Sequence, residues 1–86
     1  MMYPTVRGYY VETRELITEL GRHWFEPKKF LPKDLEGRKR ELEAKGFEFC
    51  PWLSEFDTYT YSKNTEQGDL MFVTLEYCEE EVWEDE

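Results

Sequence analysis

The chain has 86 residues, with 20 Asp/Glu against 11 Lys/Arg and a net charge of −9. That length accommodates one domain, residues 1–86, and excludes a second; six Phe, six Tyr and three Trp, 17% of the chain, argue against intrinsic disorder, which goes with few aromatics. No run approaches the roughly 20 apolar residues of a membrane helix, and Met1-Met2-Tyr3-Pro4 lacks the basic start and apolar run of a secretory signal, so a cytoplasmic protein without a membrane partner is expected.

Residues 3–11 (YPTVRGYYV) are rich in Tyr and Val and predict a first strand, with Gly8 marking a bulge or a close approach. Leu16, Leu20 and Trp24 recur at i, i+4 and i+8 beside Ile17, with Thr13 as a cap and Pro27 as a stop, so a helix is predicted over 13–25. A two-proline loop (EPKKFLPK) follows. A second helix is predicted from Pro32 or Asp34 up to Gly46, a good C′ glycine, with Leu35 and Leu42 as its narrow buried stripe.

From Phe47 the period changes from helical to two. Phe47 and Phe49 alternate with Glu48 and Cys50 in a short strand stopped by Pro51. Residues 56–61 (FDTYTY) and 70–78 (LMFVTLEYC) predict a hairpin around the polar turn 62–68, the second strand being central. Residues 79–86 (EEEVWEDE) form an acidic C-terminal segment, extended in expectation. The predicted class is α+β: a small antiparallel sheet of three to four strands with two helices on one face, in the order β-α-α-β-β-β.

No pattern for chemistry emerges. One histidine, His23, and two cysteines, Cys50 and Cys78, match neither a nucleophile pair nor a zinc site, and the bland expectation for both thiols is burial as small hydrophobes. Scattered glycines match neither a phosphate loop nor a dinucleotide fold. No cofactor, metal or enzymatic activity is expected. Lys28, Lys29, Lys33, Arg38, Lys39 and Arg40 cluster within thirteen residues, but Asp34, Glu36, Glu41 and Glu43 interleave with them, the pattern of a solvated helix face.

The charge is unevenly spread. Residues 1–46 carry ten Lys/Arg and eight Asp/Glu, a balance of +2; residues 47–86 carry Lys63 alone against twelve Asp/Glu, a balance of −11. Such a surface repels nucleic acid and speeds encounter with basic protein surfaces. On a strand, residues i and i+2 share a face roughly 6.6 Å apart, close to the spacing of successive phosphates. The candidate partner-binding residues are Glu55, Asp57, Glu66, Asp69, Glu76, Glu79, Glu80, Glu81 and Glu84, with Trp83 as an aromatic anchor that a merely solubilising tail does not need.

In length, acidity and aromatic content the chain resembles small phage-encoded proteins that block host enzymes, such as anti-CRISPR proteins and other nucleic-acid mimics. The resemblance is one of composition, without a shared motif, and the near-neutral first half departs from it. It implies a viral-type inhibitor. The leading expectation is accordingly a non-enzymatic binding protein, monomer or homodimer, that occupies the basic, nucleic-acid-binding groove of a protein partner without itself contacting nucleic acid. The alternatives are a structural or assembly protein that self-associates through its charge-complementary halves or sheet edges, and a weak nucleic-acid binder acting through residues 28–40.

Overall fold

The computed structural model describes residues 3–83. Tyr9, Tyr10, Val11, Thr13 and Ile17 favour a pleated, extended backbone, and the first strand does not stop at Val11: β1 runs Thr5–Thr18. Its partner is β6, Leu70–Val82. The two are antiparallel over thirteen residue pairs, from Thr5 opposite Val82 to Ile17 opposite Leu70, so the first and the last strand lie side by side in the sheet.

The returning chain lines the other edge of β1. β2, Gly21–Trp24, pairs with residues 15–18, and β3, Lys28–Phe30, pairs with residues 10–12. Gly21 takes a φ of +129°, open to glycine alone, and the Leu20 amide donates to Thr18 Oγ1 at 3.1 Å, closing a tight turn. Three steps on β1, from Glu15 opposite Trp24 to Glu12 opposite Lys28, are matched by four on the returning strand. The extra residue is a bulge at 25–27, where the Phe25 amide still reaches the Arg14 carbonyl at 3.1 Å and Pro27 has no N–H to offer.

A 3-10 turn, Pro32–Asp34, leads into α1, Leu35–Ala44. The helix ends in a Schellman motif: the Phe47 amide donates to the Leu42 carbonyl and the Gly46 amide to the Glu43 carbonyl, both at 3.0 Å, with Gly46 at φ +90°. β4, Glu48–Phe49, a second 3-10 turn, Pro51–Leu53, and β5, Thr58–Asn64, complete the order β2-β1-β6-β5-β4, with β3 beside β2 on the edge of β1.

The expected small sheet under two helices is therefore overturned: among the described residues six antiparallel strands carry one α-helix with its preceding 3-10 turn. The segment 13–25, expected as a helix, is the far half of β1, a turn and β2. Its helical spacing of Leu16, Leu20 and Trp24 coexists with a period-two pattern, and the long ladder with β6 decides between them. Leu20, counted there as an apolar-face residue, is the turn tip and 94% exposed.

Strand alternation sets the core. Tyr10, Val73, Leu75 and Tyr61 point to the helix side and are buried with Leu42 and Phe47. Tyr10 stacks on Phe30 at 5.5 Å and meets Tyr77 edge-on at 5.3 Å. The opposite face, with Val11, Ile17, Leu70 and Phe72 half-buried on it, carries no α-helix among the described residues. Among the described residues no helix is long and apolar enough to cross a membrane.

The sheet is longer than its core. β3 reaches only Tyr10, and β5 reaches only Glu76, extended by one bond from the Tyr77 amide to the Asp57 carbonyl. Beyond that point residues 5–9 and 78–82 pair with each other alone, a two-stranded arm about 16 Å long at 3.3 Å per residue. The molecule measures 57 × 26 × 20 Å, and its radius of gyration of 15.9 Å exceeds the roughly 12 Å of a globular chain this size.

Candidate functional site

The arm gathers the densest part of the acidic sequence. Glu79, Glu80 and Glu81 are all exposed on it. In register, Glu79 lies opposite Gly8, Glu80 opposite Arg7 and Glu81 opposite Val6. Strand alternation sends Glu79 and Glu81 to the helix side and Glu80, with Glu76, to the other, so both faces of the arm carry carboxylates. Asp57, half-buried and in the left-handed region at φ +59°, and the exposed Glu55 stand at the base of the arm, where β5 begins.

The remaining predicted residues are elsewhere. Glu66 and Asp69 lie at the β5–β6 turn, the opposite end of β6 from the arm. Ten residues of extended strand separate Asp69 from Glu79, roughly 33 Å. The candidate acids thus form two groups and not one row. Trp83, at the end of the arm, is 57% exposed. Glu84 lies outside the described residues.

Tyr77 anchors the arm to the core. Its ring covers Gly8, so closely that a Cβ there would stand 2.1 Å from Tyr77 Oη. Burial, then the charge and hydrogen bond of Glu79, push the Tyr77 phenol above its ordinary pKa. The arm's outer strand edges have no sheet neighbour among the described residues, leaving backbone N–H and C=O groups open to a further strand.

A second polar constellation lies under the helix. Glu12, 2% exposed, accepts from Arg14 Nε at 2.9 Å and from Arg38 Nε at 2.8 Å, and it binds a terminal nitrogen of Arg38 as well. Another Arg38 nitrogen binds Glu41. Burial raises the Glu12 pKa, but the hydrogen bonds from Arg38 and Arg14 prevail and hold it below the ordinary carboxylate range. The Arg38 guanidinium, disfavoured by burial, is in turn held charged by Glu12. A helix over 13–25, as the apolar spacing predicts, hides this network, because it takes Arg14 out of the strand that carries Glu12. Read with a period of two, Tyr10, Glu12 and Arg14 share the buried face, and a carboxylate there requires the cations beside it.

Cys50 is buried with its Sγ 3.1 Å from Ser62 Oγ, Cys78 is half-buried, and both are free thiols. His23 is exposed on β2. Among the described residues no three His, Cys, Asp or Glu side chains converge as a metal site.

Chemically, the arrangement presents carboxylates on a projecting ribbon, able to accept charge-assisted hydrogen bonds, beside strand edges whose backbone groups are able to pair with a further strand. Comparison with known proteins finds no matching family model, no matching curated protein and no matching solved structure.

Proposed function

We propose that the chain is a non-enzymatic binding protein whose acidic arm enters a basic groove of a partner protein, a groove of the kind that holds nucleic acid. The observation that carries the reading is the placement of Glu79, Glu80 and Glu81 on a two-stranded ribbon that extends past the core. Carboxylates at i and i+2, roughly 6.6 Å apart, face a row of Arg and Lys much as successive phosphates do. Trp83 at the tip supplies an aromatic anchor.

The test uses the immobilised chain and its Glu79→Gln/Glu80→Gln/Glu81→Gln variant to capture a partner from host extract at low salt, followed by competition with nucleic acid. A partner held by the wild type, lost by the variant and displaced from its nucleic acid by the chain supports the reading. Capture of the same partner by both proteins with the same salt dependence defeats it.

One observation favours a second reading, self-assembly. Among the described residues the arm is open along both edges, and Val6 and Trp83 are exposed on it. Pairing of two arms would continue the sheet between copies. Scattering that reports a monomer at every protein concentration and salt excludes it.

A further inference from the structure

We propose that the cleft between α1 and the β1–β3 edge is a binding site for a phosphomonoester. The cleft holds about 300 Å³ and is lined by Glu12, Arg14, Lys28, Phe30, Arg38 and Lys45. Lys29 also reaches it, but its ammonium lies 4.8 Å from the centre of the Tyr9 ring and is engaged there.

Apart from Lys29, the five charged side chains of the cleft divide by role. Glu12 is buried and already satisfied by two guanidinium groups, and Arg38 is spent on Glu12 and Glu41. These are positioning residues. Arg14 uses only its Nε on Glu12, so both terminal nitrogens remain without a protein acceptor among the described residues. Lys28 and Lys45 have no carboxylate within ion-pair distance among the described residues, although Lys28 stands opposite Glu12 in register. A fixed fork and two free ammonium groups around one cleft match a dianionic phosphoryl group.

Counting charges without Lys29, Arg14, Lys28, Arg38 and Lys45 give +4, and Glu12 with Glu41, the partner of Arg38, gives −2, a local balance of +2. Glu26, which lines the adjoining cleft beside Lys28, lowers it by one. The acids of the arm do not cancel this. Glu79 pairs with Gly8, six strand residues from Arg14, roughly 20 Å away and about two Debye lengths at 0.1 M salt.

The organic part of the ligand also has a place. Arg14 and Lys45 line a second cavity, of about 550 Å³, whose walls include Phe47 and Met71. A phosphate held between Arg14, Lys28 and Lys45 would direct an attached apolar or aromatic group across these two side chains. The site is independent of the acidic arm, and its failure leaves the arm's role untouched.

The experiment is an NMR titration of the whole chain in 0.1 M salt, where the arm's acids are screened from the cleft, with inorganic phosphate, AMP and adenosine. AMP and phosphate are expected to shift the amides around Arg14, Lys28 and Lys45, with AMP at least tenfold tighter than adenosine. The exposed pair Lys28→Gln/Lys45→Gln, whose fold is checked by its thermal melt, is expected to lose at least tenfold in AMP affinity. Lys33→Gln/Arg40→Gln removes the same charge elsewhere and is expected to change it less than threefold. Absence of phosphate and AMP binding by the wild type overturns the site, as does an equal loss in both double variants.

Discussion

Tyr77 lies over Gly8 on the neighbouring strand, with the space of the missing Cβ filled by its phenol ring. The ladder is unbroken at Gly8, so the glycine serves a close approach and not a bulge. Gly8→Ala is expected to cost about 1–3 kcal/mol, because the ring must leave its place against Tyr10. In a Tyr77→Ala background the same change is expected to be neutral or to stabilise by about 0.5–1 kcal/mol, since Ala is the better strand residue. A double-mutant cycle from urea melts reads the coupling; additive effects would show that the ring does not constrain Gly8.

Gly21 separates the two structures that residues 13–25 can be written into. In a helix, Gly21→Ala would stabilise by about 1 kcal/mol. At φ +129° it strains the backbone although no atom crowds the position, and a loss of about 1–2 kcal/mol is expected. Thermal melts give the sign.

That position shows where the sequence is legible. The helix ending at Gly46, the hairpin around 62–68 and the central strand from Leu70 follow from local signals: a C′ glycine, a polar turn, a dense apolar run. β1 beyond Val11 does not, because its stabilising partner lies at the other end of the chain and the hydrophobic spacing fits both periods. The acids of the arm were legible as residues, but their grouping was not. Whether Glu66 sits beside Glu79 depends on the length of β6, which only the pairing with β1 settles. Glu12, Arg14 and Arg38 were hidden for the same reason, being 26 residues apart at their extremes and joined by topology.

Glu12 makes stability depend on acidity. Its folded pKa is depressed below the ordinary Glu value of about 4.3, so its contribution is complete above that pH and is lost as pH falls through the folded value. Glu12→Gln is expected to cost about 3 kcal/mol near neutrality, where two guanidinium groups lose their buried counter-charge. The gap from the wild type is expected to narrow below about pH 4. Urea melts at neutral and acid pH check both; a gap independent of pH would place the cost in packing alone.

The tyrosines act at the alkaline end. Burial raises the phenols of Tyr10 and Tyr61, with negative neighbours such as Asp57 and Glu36 adding to it, and Tyr77 is raised by burial and Glu79. A folded pKa above the ordinary value of about 10 contributes stability that is present below that value and is lost as pH rises through the folded one. Absorbance at 295 nm is expected to show a late-titrating group of tyrosines that urea returns to the ordinary range. In Tyr77→Phe that late group is expected to shrink by one.

The acids of the arm have a second physical consequence, distinct from any partner. Open edges of a two-stranded ribbon are templates for pairing with another copy, and charge is one of the means by which proteins guard such edges. Glu79→Gln/Glu80→Gln/Glu81→Gln removes three negative charges from a strand whose outer edge is unpaired among the described residues, while leaving its backbone unchanged. The variant is expected to self-associate at concentrations where the wild type is monomeric, and high salt is expected to move the wild type in the same direction, because exposed like charges are screened within about 10 Å at 0.1 M. Light scattering across salt measures both. Association of the variant with loss of partner capture means that the same carboxylates guard the edge and serve the interface. A variant that stays monomeric yet loses its partner assigns them to the interface alone.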